Sequence, residues 1–230
     1  MGREKLHWFR LLTPGALAAF FCLTLFNPSL DLTTFATVLK QWQGVVIIVC
    51  LLLGYPYRAF DVRRLFLRDF WETVNRNIED QLLAIARRRL VISLDQETYL
   101  RDDRRLMDVF YRSVDNDESL KAKVAGIYFN GYLTTLGVDI VTVSGLAAIA
   151  HGIAWIMVGG SLHITWTLIC LSLMPLAWVT FRQSIKRHLA LSNEQLRYIG
   201  NFNADKVCKS VEAVLRNMPS ESARPNGITN

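Results

Sequence analysis

Between Val124 and Phe181 the chain runs for 58 residues with one formal charge, Asp139, and near the middle of that run stands the polar break Gly159-Gly160-Ser161. A helix needs about 20 apolar residues to cross the hydrocarbon core of a bilayer. The run holds two such lengths with a turn between them, so it reads as a membrane hairpin.

The rest of the chain sorts its charge in blocks. Leu11–Tyr57 carries only Asp31 and Lys40, whereas Arg58–Lys123 carries 14 Lys/Arg and 13 Asp/Glu. A mean hydropathy of +0.22 with 20% charged residues is therefore an average over two unlike materials. A soluble domain interleaves such residues at helical or strand period; segregation in long blocks points to a membrane protein. The expected fold class is all-α: a polytopic helical membrane protein with four transmembrane helices in two hairpins and a cytosolic helical module.

Met1–Arg10 is basic and leads into Leu11–Phe26, after which Asn27-Pro28-Ser29 replaces the small-x-small pattern of a cleavage site. The segment is read as a retained first span, kinked at Pro14-Gly15 and anchored by Trp8 and a snorkelling Arg10. Leu30–Gln43 is a short polar loop or interfacial helix, and Gly44–Tyr57 the second span. If both termini and Arg58–Lys123 face the cytoplasm, 25 of the 26 Lys/Arg lie on that side and only Lys40 lies outside. Cytoplasmic loops are enriched in Lys and Arg, which fixes this orientation, in a membrane of the bacterial inner (plasma) type. The domain scheme is 1–57 for the basic N-terminus and first hairpin, 58–123 for the cytosolic module, 124–181 for the second hairpin, 182–218 for cytosolic amphipathic helices, and 219–230 for a disordered tail.

From Asp61 to Arg89 there is neither Gly nor Pro. Leu67, Trp71, Val74, Ile78, Leu82 and Ile85 recur at steps of three and four, one helical stripe that serves as the candidate cytosolic interaction surface. Arg64, Arg68, Glu72, Arg76 and Asp80 line a separate, solvated row in which three neighbouring pairs have opposite sign. Arg87-Arg88-Arg89 closes the helix where cations complement its dipole. Ser93-x-x-Gln96 has capping-box spacing and opens a helix through about Val114. Asp115-Asn116-Asp117-Glu118 lacks the glycine and distal glutamate of an EF-hand loop, and is read as a turn plus helix N-cap.

The third long helix begins near Ser119, with Val124–Leu136 an interfacial or cytosolic segment and Gly137–Val158 the span. Gly137, Ser144, Ala148 and Gly152 form a small-residue stripe of the kind that lets helices approach closely in membranes. Asp139 is the candidate intramembrane polar site: an ion path, a gating group or a helix-pairing group on one reading, a satisfied near-interface carboxylate on the other. The fourth span is about Leu162–Phe181, with Trp155 and Trp166 flanking the outer turn and Pro175 a kink. Ser192-x-x-Gln195 again has capping-box spacing, and Ala204–Met218 places Val207, Val211, Val214, Leu215 and Met218 on one side.

Several classes of function find no support. The net charge of +6 sits at the ends of the chain, with no aromatic-basic motif, so nucleic acid is not an expected partner. Cys22, Cys50, Cys170 and Cys208 are widely spaced and form no CxxC pair, so neither a disulfide framework nor a zinc site is expected. No nucleophile elbow, HExxH, P-loop or GxGxxG stands in its context, so neither enzymatic activity nor a cofactor is expected. The expectation is an integral membrane interaction or signalling module. Its cytosolic helices would oligomerise or receive a cytosolic partner and couple to the spans; a membrane-perturbing stress or immunity effector is one version by analogy of layout. Membrane lipid and further copies of the chain are the expected partners. The alternative is a small homo-oligomeric channel with the third span lining the pore and Asp139 near its mouth.

Overall fold

The computed structural model describes residues 3–30 and 32–219, with side chains from Trp8 onward except at positions 31, 32, 35, 38 and 39. Of the tail read at 219–230, all but Pro219 lies outside the described residues, as do the side chains of Arg3 and Lys5 in the basic N-terminus. The described chain is helical throughout, with no strand. Its elements are α1 (Arg3–Phe26), α2 (Leu32–Gln41), α3 (Gln43–Ala59), α4 (Val62–Ala86), α5 (Leu94–Arg101), a 3-10 turn (Asp102–Arg104), α6 (Arg105–Asp115), α7 (Glu118–Val158), α8 (Ser161–Phe202) and α9 (Ala204–Arg216). They form two compact units, one of residues up to Phe70 with Ala125–His188, the other of Trp71–Val124 with the residues from Leu189 on. The helices α4, α7 and α8 each run unbroken from one set of residues into the other.

Three helices in the described chain are long and apolar enough to cross a membrane, α1 from Trp8, α7 and α8; a fourth crossing is counted if α3 and α4, bent by 54° at Phe60–Asp61, make one span. The first unit presents the surface such helices need. Ile48, Leu52, Leu146, Ile149, Ile153, Ile156, Leu176 and Val179 are all exposed, a density of large apolar side chains that water does not favour but lipid does. Beneath them Phe21, Val143, Ala147, Ala148 and Cys170 form the buried core, with Phe20, Tyr57 and Trp166 against it.

Within this unit the helices run antiparallel. A side-chain carbon added to Gly15 of α1 would overlap the Cys50 carbonyl of α3, and one added to Gly54 would lie 3.1 Å from the Leu11 carbonyl, so α1 and α3 touch backbone to backbone. The α7–α8 hairpin turns at Gly159 and Gly160, whose φ of +76° and +93° are open to glycine at no steric cost. Down its length Gly145 faces Met174, Gly137 faces Ala177 and Phe181, and the Asn130 amide donates to the Ser184 carbonyl at 2.7 Å.

The second unit buries Leu82, Leu100, Leu106, Leu196, Ile199 and Val207 as its apolar core and carries polar contacts around it. Ser93 and Gln96 form the expected capping box at the start of α5. The Arg101 and Arg87 guanidiniums on Glu97 hold its carboxyl below the usual range. Asp117 caps α7, accepting from the Ser119 and Leu120 N–H groups at 3.0 and 3.2 Å. The Asn203 amide, donating at 2.8 Å, and those two N–H groups hold the Asp117 carboxyl below its ordinary value. Arg89 pairs with Asp205 at 2.5 Å and the Tyr99 hydroxyl donates to the Asn217 carbonyl at 3.1 Å, which ties the C-terminal end of the chain to the α4–α6 segment, while Lys123 of α7 pairs with Glu194 of α8 at 2.5 Å.

Two expectations are corrected. The helix read from Ser93 to about Val114 is broken: α5 ends at Arg101, and Asp103 and Arg104 take φ of 50° and 60° before α6 begins. Arg105 holds this turn by donating to the Tyr99 carbonyl at 2.6 Å and to Asp103 at 2.7 Å. Ser192-x-x-Gln195 opens no helix, because both residues are buried inside the continuous α8.

Candidate functional site

The site begins at a break in the helical path. The α3 helix ends with the Phe60 N–H on the Pro56 carbonyl and the Asp61 N–H on the Arg58 carbonyl, and Asp61 takes a left-handed φ of 47°. Aspartate is one of the few non-glycine residues that enters this region readily. The turn starts α4 in a new direction and swings Arg63 toward α7. There its Nε and Nη2 donate to the two carboxylate oxygens of Asp139 at 2.8 and 2.6 Å, a bidentate and charge-assisted pair. The Asp139 side chain is 1% exposed and that of Arg63 23%.

Arg63 makes a third bond, from Nη2 to the Arg10 carbonyl of α1 at 2.6 Å. Proline explains why that carbonyl is open. In an unbroken α-helix it would accept from the N–H four residues on, and residue 14 is Pro14, which has none. The α1 helix is continuous through Pro14, and the proline leaves one carbonyl for an arginine from another helix. The Tyr57 ring lies 5.9 Å from the Arg63 guanidinium carbon. One side chain thus ties α1, α4 and α7 together at a single point.

Asp139 is a buried carboxylate matched on both oxygens by Arg63, which stands 76 positions away in the chain and on another helix. A buried charge is costly unless it is matched in this way. The small-residue stripe divides. Gly137 is a true close approach, since an added carbon would lie 2.9 Å from the Phe181 Cβ and 3.2 Å from the Ala177 carbonyl, so its partner helix belongs to this chain. Ser144 and Ala148 are buried, while an added carbon at Gly152 would meet nothing within 4 Å. Along the apolar stripe of α4, Leu67, Val74, Ile78, Leu82 and Ile85 are buried and Trp71 is half-buried. The Ile85 methyl end lies against Gly200 of α8, so these side chains are already covered by the chain itself.

A second polar cluster, of Thr24, His151 and His163, lies in the same unit. His151 Nδ1 and His163 Nδ1 are 3.3 Å apart, Thr24 Oγ1 is 3.2 Å from His151 Nε2, and the Trp166 ring stacks on His151. The Thr24 hydroxyl spends its one hydrogen on the Phe21 carbonyl at 3.0 Å, so His151 Nε2 is the donor to Thr24. A neutral His151 then turns an Nδ1 lone pair toward His163. Trp166 Nε1 donates to the Pro28 carbonyl at 2.8 Å and fixes the α1–α2 connection to α8. The signal that brings the two histidines together is the hairpin turn between them, not their spacing.

Comparison with known protein families gives no matching family model, and neither the curated proteins nor the solved structures give a match.

Proposed function

We propose that the chain is an integral membrane signalling module. In this reading four spans form two hairpins, the charged unit faces the cytoplasm with both termini, and that unit oligomerises or receives a partner and passes its state to the spans. The observation that carries the reading is the unbroken passage of α4, α7 and α8 between the charged and the apolar residues, with α4 bearing Arg63 on the Asp139 contact. A turn or shift of α4 about its axis would move a bidentate pair that has one good geometry. The positive-inside distribution, with Lys40 as the one outside cation, supports the orientation.

The covered stripe on α4 directs a partner elsewhere on the charged unit, where Val91, Leu94 and Phe202 are exposed. The channel reading has less to stand on, because a pore-mouth role asks for an Asp139 open to ions and this one is engaged on both oxygens. The test is the full chain in mild detergent and in planar bilayers. Arg63→Lys should shift the assembly mass or partner affinity, and Asp139→Asn should leave bilayer conductance at background. A conductance that changes selectivity with Asp139→Asn, and an assembly indifferent to Arg63→Lys, would replace the signalling reading with the channel.

A further inference from the structure

Two cavities adjoin beside the Arg63–Asp139 pair. One, of about 280 Å³, is lined by Arg10, Arg58, Asp61 and Arg63. The other, of about 380 Å³, lies among α1, α3 and α7 and is lined almost wholly by apolar side chains, including Phe21, Leu53, Phe60 and Leu146. They share Pro14, Tyr57 and Val62, so the charged lining of one adjoins the apolar lining of the other. Both fall near the size of small-ligand sites, which run from roughly 300 Å³ upward.

We infer that this composite cavity holds one phospholipid with an anionic headgroup, its phosphate toward Arg58 and an acyl chain against α1, α3 and α7. The inference goes beyond the signalling reading and rests only on the placement of these helices in a bilayer. Charge chooses the headgroup. Three arginines are set against Asp61 and the buried Asp139, which leaves the polar end positive. Arg63 is spent on Asp139, and Arg10 runs its Nη2 along α7 against Gly131. Arg58, exposed at the rim, is the cation placed to close on a phosphate. Apolarity chooses the tail: Phe60 and Leu146 are 80% and 63% exposed at the cavity edge, and a chain laid there would cover them.

The experiment is native mass spectrometry of the full chain from mild detergent, with phosphatidylglycerol and phosphatidylcholine of matched acyl chains. Phosphatidylglycerol should be retained about fivefold better, the factor expected for one basic residue near an anionic headgroup. Arg58→Gln should bring the two lipids to parity. Asp61→Asn, which keeps a residue tolerant of the left-handed turn, should raise the preference by a similar factor. Cys22→Trp, which fills the apolar cavity from its exposed rim, should lower retention of both lipids. Equal retention by the unaltered chain, or a preference that ignores Arg58→Gln and Asp61→Asn, would overturn the inference. So would release of phosphatidylglycerol by inorganic phosphate, which would assign the polar end to a soluble anion. The same spectra report assembly mass, so a failed lipid preference with an assembly that still responds to Arg63→Lys removes the lipid site and leaves the signalling reading intact.

Discussion

Replacing Arg63 tests the contact that joins α4 to α7 and α1. Arg63→Gln leaves Asp139, 1% exposed, with both oxygens stripped of charge-assisted partners. Removing one member of a buried pair costs about 3–5 kcal/mol, because the other charge remains in low dielectric. Asp139→Asn should cost less, about 1–3 kcal/mol, since Arg63 keeps the Arg10 carbonyl and is 23% exposed to water. The double change Arg63→Met/Asp139→Leu removes both charges and should recover most of the loss. It also strands the Arg10 carbonyl, and Pro14→Ala would return a helical N–H to it. Pro14→Ala should therefore stabilise the double variant more than the unaltered chain, where the new N–H competes with Arg63. The assay is reversible denaturant unfolding in mixed micelles followed by circular dichroism, with Arg63→Met and Asp139→Leu measured as the single arms of the double-mutant cycle. Single substitutions within about 0.5 kcal/mol of the unaltered chain, the range of an ordinary surface change, or a strictly additive cycle would refute the reasoning.

Three further outcomes follow from local geometry. Ser93→Ala removes the capping-box oxygen that accepts from the Gln96 N–H and should cost about 0.5–2 kcal/mol in the same unfolding assay. Gly15→Ala drives a carbon into the Cys50 carbonyl and should destabilise by about 1–3 kcal/mol, whereas Gly152→Ala, with open space around it, should be neutral or gain up to about 1 kcal/mol. Asp117 has a depressed folded pKa, so its contribution is present above about pH 4 and lost as pH falls through the lower folded value. Thermal midpoints of the unaltered chain and Asp117→Asn should differ at neutral pH and converge in acid; a difference that grows below pH 4 would show the sign to be wrong.

What could be read in the sequence is what local pattern encodes. The run from Val124 to Phe181, the glycine turn, the Asp117 cap and the Ser93–Gln96 box are statements about neighbours three or four residues apart, and each has its counterpart in α5, α7 and α8. The Asp103–Arg104 break was hidden because no Gly or Pro marks it and the apolar spacing carries on across it; the left-handed turn is held by Arg105, which donates to the Tyr99 carbonyl. Ser192 and Gln195 mimic a cap because the capping signature is blind to a helix already under way. Asp139 could be singled out from composition, but its partner could not: Arg63 looked like one more cation in a solvated block. The link between Pro14 and Arg63 likewise needs coordinates, since a missing N–H says which carbonyl is open but not who takes it.

The measurement that bears most directly on the account is sidedness. In a Cys22→Ala background, with the remaining native cysteines buried, Ser161→Cys and Val91→Cys can be offered to a membrane-impermeant maleimide on intact cells. Ser161→Cys, exposed beside the hairpin turn, should react from outside, and Val91→Cys, fully exposed in the charged unit, should react only after the membrane is opened. Labelling of Val91→Cys from outside, or of both sites in a soluble fraction without detergent, would contradict it.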